Sequence, residues 1–132
     1  EEEREMLPLC RDQGVAVIPW SPLGGGKLTR PWGTETKRNT TDRHNKGMYD
    51  RTEGNAPEVV AAVEKVAKER GRSMAEVALA WVLQVNGVTS PIVGVSRMGH
   101  LDDAIAALDL VLDAEEVAAL EAPYQTFMVK SL

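Results

Sequence analysis

A single cysteine, Cys10, stands in the 132 residues. It has no partner for an internal disulfide, which excludes a disulfide-stapled secreted scaffold and leaves a reducing, cytoplasmic setting as the default. No apolar run approaches the ~20 residues that a membrane-spanning helix requires. Basic residues are outnumbered, with 15 Lys and Arg against 20 Asp and Glu and a formal net charge of −5. That balance argues against a nucleic-acid surface, although a local basic pocket can sit in an acidic chain. The only histidines, His44 and His100, do not combine with Cys10 or the carboxylates into a metal-ligand spacing. An initiator methionine, a signal peptide, internal repeats and low-complexity tracts are also lacking. The chain opens Glu1-Glu2-Glu3 directly into a helical pattern, as a piece of something longer would.

What is present is a pair of similar segments about seventy residues apart, Val15 to Thr29 and Pro91 to Asp103. Each is a short apolar run that ends in small polar residues and then a base. Runs such as Val15 to Ile18 and Pro91 to Val95, small and β-branched without polar alternation, predict strands buried on both faces and flanked by parallel neighbours. In a parallel barrel, the loop at the carboxyl end of such a strand is where backbone amides and a basic side chain meet a phosphate.

Helical patterns fill most of the remainder. Glu1 to Gln13 predicts a helix with acidic residues near its positive end, stopped by Gly14, and Pro8 predicts that it is kinked or starts late. Gly24 to Ala56 is polar and rich in Gly, Thr, Asn, Arg and Lys, and a loop of that length in a compact domain is usually functional or disordered. Pro57 opens a helix carrying Val59, Val60, Val63, Val66 and Ala67, ended by Gly71. Ser73 and Glu76 have the spacing of a capping box before a second helix, which Asn86-Gly87 ends. Leu101 to Leu108 reads as a further helix, and Asp113 to Glu116 caps a last one running through Leu120. Two strands alone leave unpaired backbone on both sides, so further chain, a second copy or a partner is expected to cover them.

In Trp20-Ser21-Pro22-Leu23-Gly24-Gly25-Gly26-Lys27, glycines permit close backbone approach while Ser21 and Lys27 offer a hydroxyl and a charge to a phosphate. A Gly triplet equally suits a flexible turn, and Trp20 taken alone reads as core filler rather than a stacking platform. In Gly94-Val95-Ser96-Arg97 a hydroxyl and a guanidinium fork stand before a helix amino end, a combination that holds a phosphate monoester. The bland alternative is an N-cap serine followed by a solvated arginine. Both loops occurring in order favours the phosphate reading.

These residues resemble the carboxyl-terminal part of the aldo-keto reductases, and among them the bacterial oxidoreductases related to the beta subunits of voltage-gated potassium channels. The resemblance rests on WSPLGGGKLT at Trp20 to Thr29, SMAEVALAWVLQ at Ser73 to Gln84, and PIVGVSRMGHLDDAIAAL at Pro91 to Leu108. It implies an α/β fold, the carboxyl-terminal portion of a (β/α)8 TIM barrel with strands seven and eight and their helices, incomplete as given. The 132 residues then form part of one barrel domain, with residues 24–56 a long loop across the cofactor.

By the same resemblance the cofactor is NADPH. Trp20 stands against the nicotinamide, and Ser21, Pro22, Leu23, Gly25 and Lys27 line the pyrophosphate loop. Gly94, Ser96 and Arg97 form the pocket for the adenosine 2′-phosphate, with His100 and Asp103 on the adenine side. Ala104 departs from the family's common Asn, at a cost on the order of 1 kcal/mol of adenine recognition. The family's catalytic Asp, Tyr, Lys and His fall in the half of the barrel that these residues do not match. No catalytic residue and no metal ligand is therefore assigned here. His44 reads as solvated, and Asp102 and Asp103 point apart on a helix rather than forming an acid/base pair.

The expected parent is a cytoplasmic NADPH-dependent reductase of aldehydes or ketones, with a small carbonyl substrate and neither nucleic acid nor membrane as partner. The 132 residues alone are expected to be inactive. The alternative is an NADPH-sensing regulatory or scaffold subunit like those of the potassium channels. A third reading is a piece that folds only by self-association through its strand edges.

Overall fold

The computed structural model describes residues 2–34 and 55–126. Most of the expected loop 24–56, including His44, lies outside the described residues. Helix α1 spans Met6–Asp12, with Pro8 in its first turn, where a missing N–H breaks no helical bond. The acidic residues Glu2, Glu3 and Glu5 precede this helix and none lies in its first turn, so the expected dipole pairing is not formed by them. The late start anticipated from Pro8 is what the chain adopts.

Helix α2, Ala56–Arg70, begins with Pro57 in its first turn and ends at Gly71, whose φ of 60° is the left-handed cap conformation. Helix α3, Met74–Gln84, starts at Ser73, whose hydroxyl accepts from the Glu76 N–H at 3.1 Å. The reciprocal half of the expected capping box is replaced, because Arg72 draws the Glu76 carboxylate at 3.3 Å. Helix α4, Met98–Ala106, begins three residues before the predicted Leu101 and runs into a 3-10 turn at Ala107–Asp109. Helix α5, Ala114–Glu121, carries a complete capping box between Asp113 and Glu116.

The core lies among α2, α3 and α5. Val60, Val63, Val66 and Ala67 of α2 meet Met74, Val77, Ala78 and Ala80 of α3, with Leu110, Leu112 and Leu120 closing the cluster. Each fully buried Val or Leu contributes about 1.5–3 kcal/mol. Polar groups lock the ends of this layer. The Gln84 side chain donates to the Leu112 carbonyl at 3.0 Å and accepts from the Leu112 N–H at 2.8 Å, which fastens the segment between α4 and α5 to the end of α3. Asn55, the one buried polar residue among those described, donates to the Pro123 carbonyl and ties the start of α2 to the end of α5.

The two apolar runs lie side by side in parallel register. The Thr89 N–H donates to the Val17 carbonyl at 2.8 Å and the Ile92 N–H to the Pro19 carbonyl at 2.8 Å. The Thr89 hydroxyl accepts from the Val17 N–H at 3.0 Å. The pairing continues to a single parallel bridge between Trp20 and Ile92. This corrects the expectation of strands buried on both faces. Among the described residues no continuous strand forms, and Val15, Ile18, Ile92 and Val95 are exposed. Among the described residues each segment pairs only with the other, and one short pairing gives neither the ladder nor the cover of a sheet interior.

Candidate cofactor site

The parallel pairing sets the geometry of the site. Two paired parallel segments run in the same direction, so the loops that follow Trp20 and Ile92 leave from the same end. Ser21 follows the bridge on one side, and Gly94, Ser96 and Arg97 follow it on the other.

The first loop is a folded turn rather than a slack glycine linker. Ser21 has a φ of 53°, the one positive value at a non-glycine among the described residues. Its hydroxyl accepts from the Gly25 N–H at 3.3 Å. Gly24–Thr29 then winds as a 3-10 turn interrupted by left-handed geometry at Gly25 and Gly26. Three donors close on the Gly26 carbonyl: Thr29 Oγ1 at 2.8 Å, Arg30 Nε at 3.3 Å and Arg30 Nη2 at 3.2 Å. Leu23 and Leu28 anchor the turn against the core of α2, α3 and α5. The Lys27 ammonium lies 5.4 Å from the centre of the Trp32 ring, a cation–π distance that holds the charge beside the turn.

The second loop carries a cluster of three side chains. Arg97 occupies the N-cap position of α4, and no side chain caps that helix end. Ser96 is therefore not the N-cap serine of the bland reading. Its hydroxyl lies 3.3 Å from His100 Nδ1, while Arg97 Nη2 lies 3.1 Å from His100 Nε2. A β-carbon on Gly94 would meet nothing within 4 Å, so contacts within this chain do not require glycine at that position.

Of the residues singled out from sequence, Ser21, Pro22, Leu23, Gly25 and Lys27 are brought together in the half-buried first turn. Gly94, Ser96 and Arg97 are exposed, with His100 beside the latter two and half-buried Asp103 one turn further along α4. Trp20 is 64% exposed, which overturns its reading as core filler and leaves its indole at the common end of the two segments. Sequence reasoning did not single out Arg30, which with Thr29 braces the Gly26 carbonyl. The signal was available in spacing, since residues three and four beyond a carbonyl in a tight turn can reach back to it.

Among the described residues no group of three or more His, Cys, Asp or Glu could hold a metal ion. Among the same residues no helix is long and apolar enough to cross a membrane. Chemically, the common end offers hydroxyls, a guanidinium and uncapped helical amides, a set suited to phosphate oxygens.

The sequence profile of the Aldo/keto reductase family matches residues 1–125. The chain is 41% identical over 126 residues to versiconal hemiacetal acetate reductase of Aspergillus parasiticus, covering 94% of this chain and 36% of that protein. It is 40% identical over 126 residues to a putative aryl-alcohol dehydrogenase of Saccharomyces cerevisiae, covering 95% of this chain and 36% of that protein. A putative aryl-alcohol dehydrogenase of Schizosaccharomyces pombe is 43% identical over 126 residues, covering 94% and 35% respectively. The chain thus spans about a third of the length of these curated relatives.

Proposed function

The chain belongs to the aldo/keto reductase family of oxidoreductases, whose fold is a (β/α)8 barrel, and from that premise we propose that it is the NADPH-binding, carboxyl-terminal portion of a carbonyl reductase. The observation that carries the proposal is the parallel pairing of residues 17–20 with 89–92, which directs two polar loops to one end.

Ser21, Gly25 and Lys27 would hold the pyrophosphate, and Ser96 and Arg97, with the uncapped amino end of α4, would hold the 2′-phosphate. The Trp20 indole, exposed at the mouth, would limit where the nicotinamide ring can lie. When bound, the reduced nicotinamide supplies the hydride that reduction of an aldehyde or ketone requires. The two loops bind and orient, while the acid that protonates the carbonyl oxygen is proposed to come from outside these residues. By themselves the 132 residues would give no turnover. The open edges of residues 17–20 and 89–92 would be covered by the other strands of the barrel. Versiconal hemiacetal acetate and aryl alcohols are named for the relatives, and they support a small carbonyl or alcohol substrate for the parent. The relatives cited bear the names of reductases and dehydrogenases, so the regulatory alternative is not carried further.

The test is cofactor choice in the complete natural chain that contains these residues. Arg97→Met removes a charged partner of the 2′-phosphate, a loss of about 1.5–3 kcal/mol or roughly tenfold to 150-fold in NADPH affinity. NADH affinity should hardly change. Equal NADPH affinity in the variant and its parent would refute the assignment of Arg97.

A further inference from the structure

We propose that His100 is a positioning residue that holds Ser96 and Arg97 in the geometry that takes a phosphate monoester, rather than a contact for adenine. The inference rests on the phosphate-pocket reading above and deepens it.

A guanidinium has only donors, so where Arg97 Nη2 meets His100 Nε2 at 3.1 Å the ring nitrogen must be the acceptor. That leaves the ring proton on Nδ1, directed at the Ser96 oxygen 3.3 Å away. One imidazole thus engages both residues through its two nitrogens. The Ser96 hydroxyl proton and the remaining guanidinium N–H groups stay available to another acceptor.

The arrangement is built by helical spacing. His100 stands four residues after Ser96 and three after Arg97, in the first turn of α4, with its backbone N–H donating to the Arg97 carbonyl at 3.0 Å. The two side chains are otherwise poorly held here, since both are exposed and neither makes a capping bond to the helix end. An exposed arginine loses substantial rotamer freedom when a ligand immobilises it. A ring that already restrains it reduces that loss, which is how preorganisation raises affinity. Half-buried His100 is itself held on the helix and can serve as the fixed element.

The experiment compares 2′,5′-ADP with 5′-AMP as probes, by calorimetry on the complete natural chain containing these residues. It uses wild type, His100→Ala and His100→Gln, with thermal unfolding by circular dichroism to establish that each variant is folded. Wild type should prefer 2′,5′-ADP. His100→Ala should weaken 2′,5′-ADP binding roughly fivefold to tenfold, with 5′-AMP binding unchanged. His100→Gln should restore most of the loss, because a carboxamide can accept from Arg97 and donate to Ser96. If His100→Ala weakens both probes equally, the ring is an adenine contact or a structural support, and the proposal fails. If wild type prefers 2′,5′-ADP and His100→Ala keeps the full preference, the proposal fails while the phosphate pocket stands. If wild type shows no preference, the pocket reading itself fails and the role of His100 goes with it.

Discussion

Gly26→Ala is the perturbation whose cost can be worked most directly from the turn after Trp20. Gly26 has a φ of 93°, and a β-carbon there would stand 2.7 Å from Arg30 Nη2. The left-handed backbone costs an L-residue about 1–2 kcal/mol. The clash falls on the far end of a flexible side chain, so Arg30 moves and the backbone does not. Moving it sacrifices the bonds from Nε and Nη2 to the Gly26 carbonyl. Both are long and only partly buried, so their loss adds about 1 kcal/mol. The expected total is about 2–3 kcal/mol.

Gly33→Ala is the internal control, because Gly33 has a φ of 81° but open space around its would-be β-carbon. It should cost only the backbone term, about 1–2 kcal/mol. Urea unfolding of the two variants, together with Arg30→Ala and the Gly26→Ala/Arg30→Ala double variant, separates the terms as a double-mutant cycle. In the Arg30→Ala background the cost of Gly26→Ala should fall by about 1 kcal/mol. Equal costs for Gly26→Ala and Gly33→Ala, or an unchanged cost when Arg30 is absent, would refute the claim that Arg30 braces this turn.

Two further outcomes concern the scaffold behind the loops. Gln84→Met keeps the volume at the end of α3 but strips both partners from the Leu112 backbone, and should cost about 2–3 kcal/mol in urea unfolding. A loss below half a kilocalorie would show that water replaces the amide. Asp113→Ala removes the acceptor of the Glu115 and Glu116 N–H groups and should cost about 1 kcal/mol. Asp113→Asn should recover most of that in the same thermal or urea assay.

Helix positions were legible because their signals are local. Pro57 and Gly71 bracket α2, and Asp113 with Glu116 marks α5, since each acts within one turn: the proline by its fixed φ, the glycine by its left-handed cap, and the acidic pair by hydrogen bonds. The start of α4 was placed three residues late, at Leu101, because Gly99 weakens the helical pattern there and no capping side chain marks the true start after Arg97. The capping box at Ser73 was half right for a different reason: Glu76 has a competing cation in Arg72, and sequence spacing alone does not rank the two partners. In the candidate site, the grouping of residues 21–27 was legible in the glycines and the lysine. The bracing of Gly26 by Arg30 was not, because it depends on a left-handed turn whose geometry only the folded loop displays. The apolar runs identified the pairing segments correctly and their burial incorrectly. Periodicity reports which side chains favour cover, whereas cover itself depends on neighbouring strands.

That difference between apolar pattern and actual cover continues along α4 and the 3-10 turn that follows it. Met98, Leu101, Ile105 and Leu108 recur at intervals of three and four and are all exposed, while Ala107 is buried. Helical residues at that spacing share a stripe, and this stripe, like Val15, Ile18, Ile92 and Val95 on the paired segments, lacks cover among the described residues. Contiguous apolar surface of this kind marks a place of contact rather than a solvent face, and burying it is worth about 25 cal/mol per Å². The exposed residues also adjoin the two loops: Ile18 and Trp20 lead into the first, and Val95 and Met98 flank Ser96 and Arg97. Cover over these residues would therefore restrain the backbone that carries the groups proposed to bind phosphate. In the proposed reductase, completeness of the barrel and strength of cofactor binding would be one coupled property, because ordering that strand cover supplies need not be drawn from the cofactor's own binding energy.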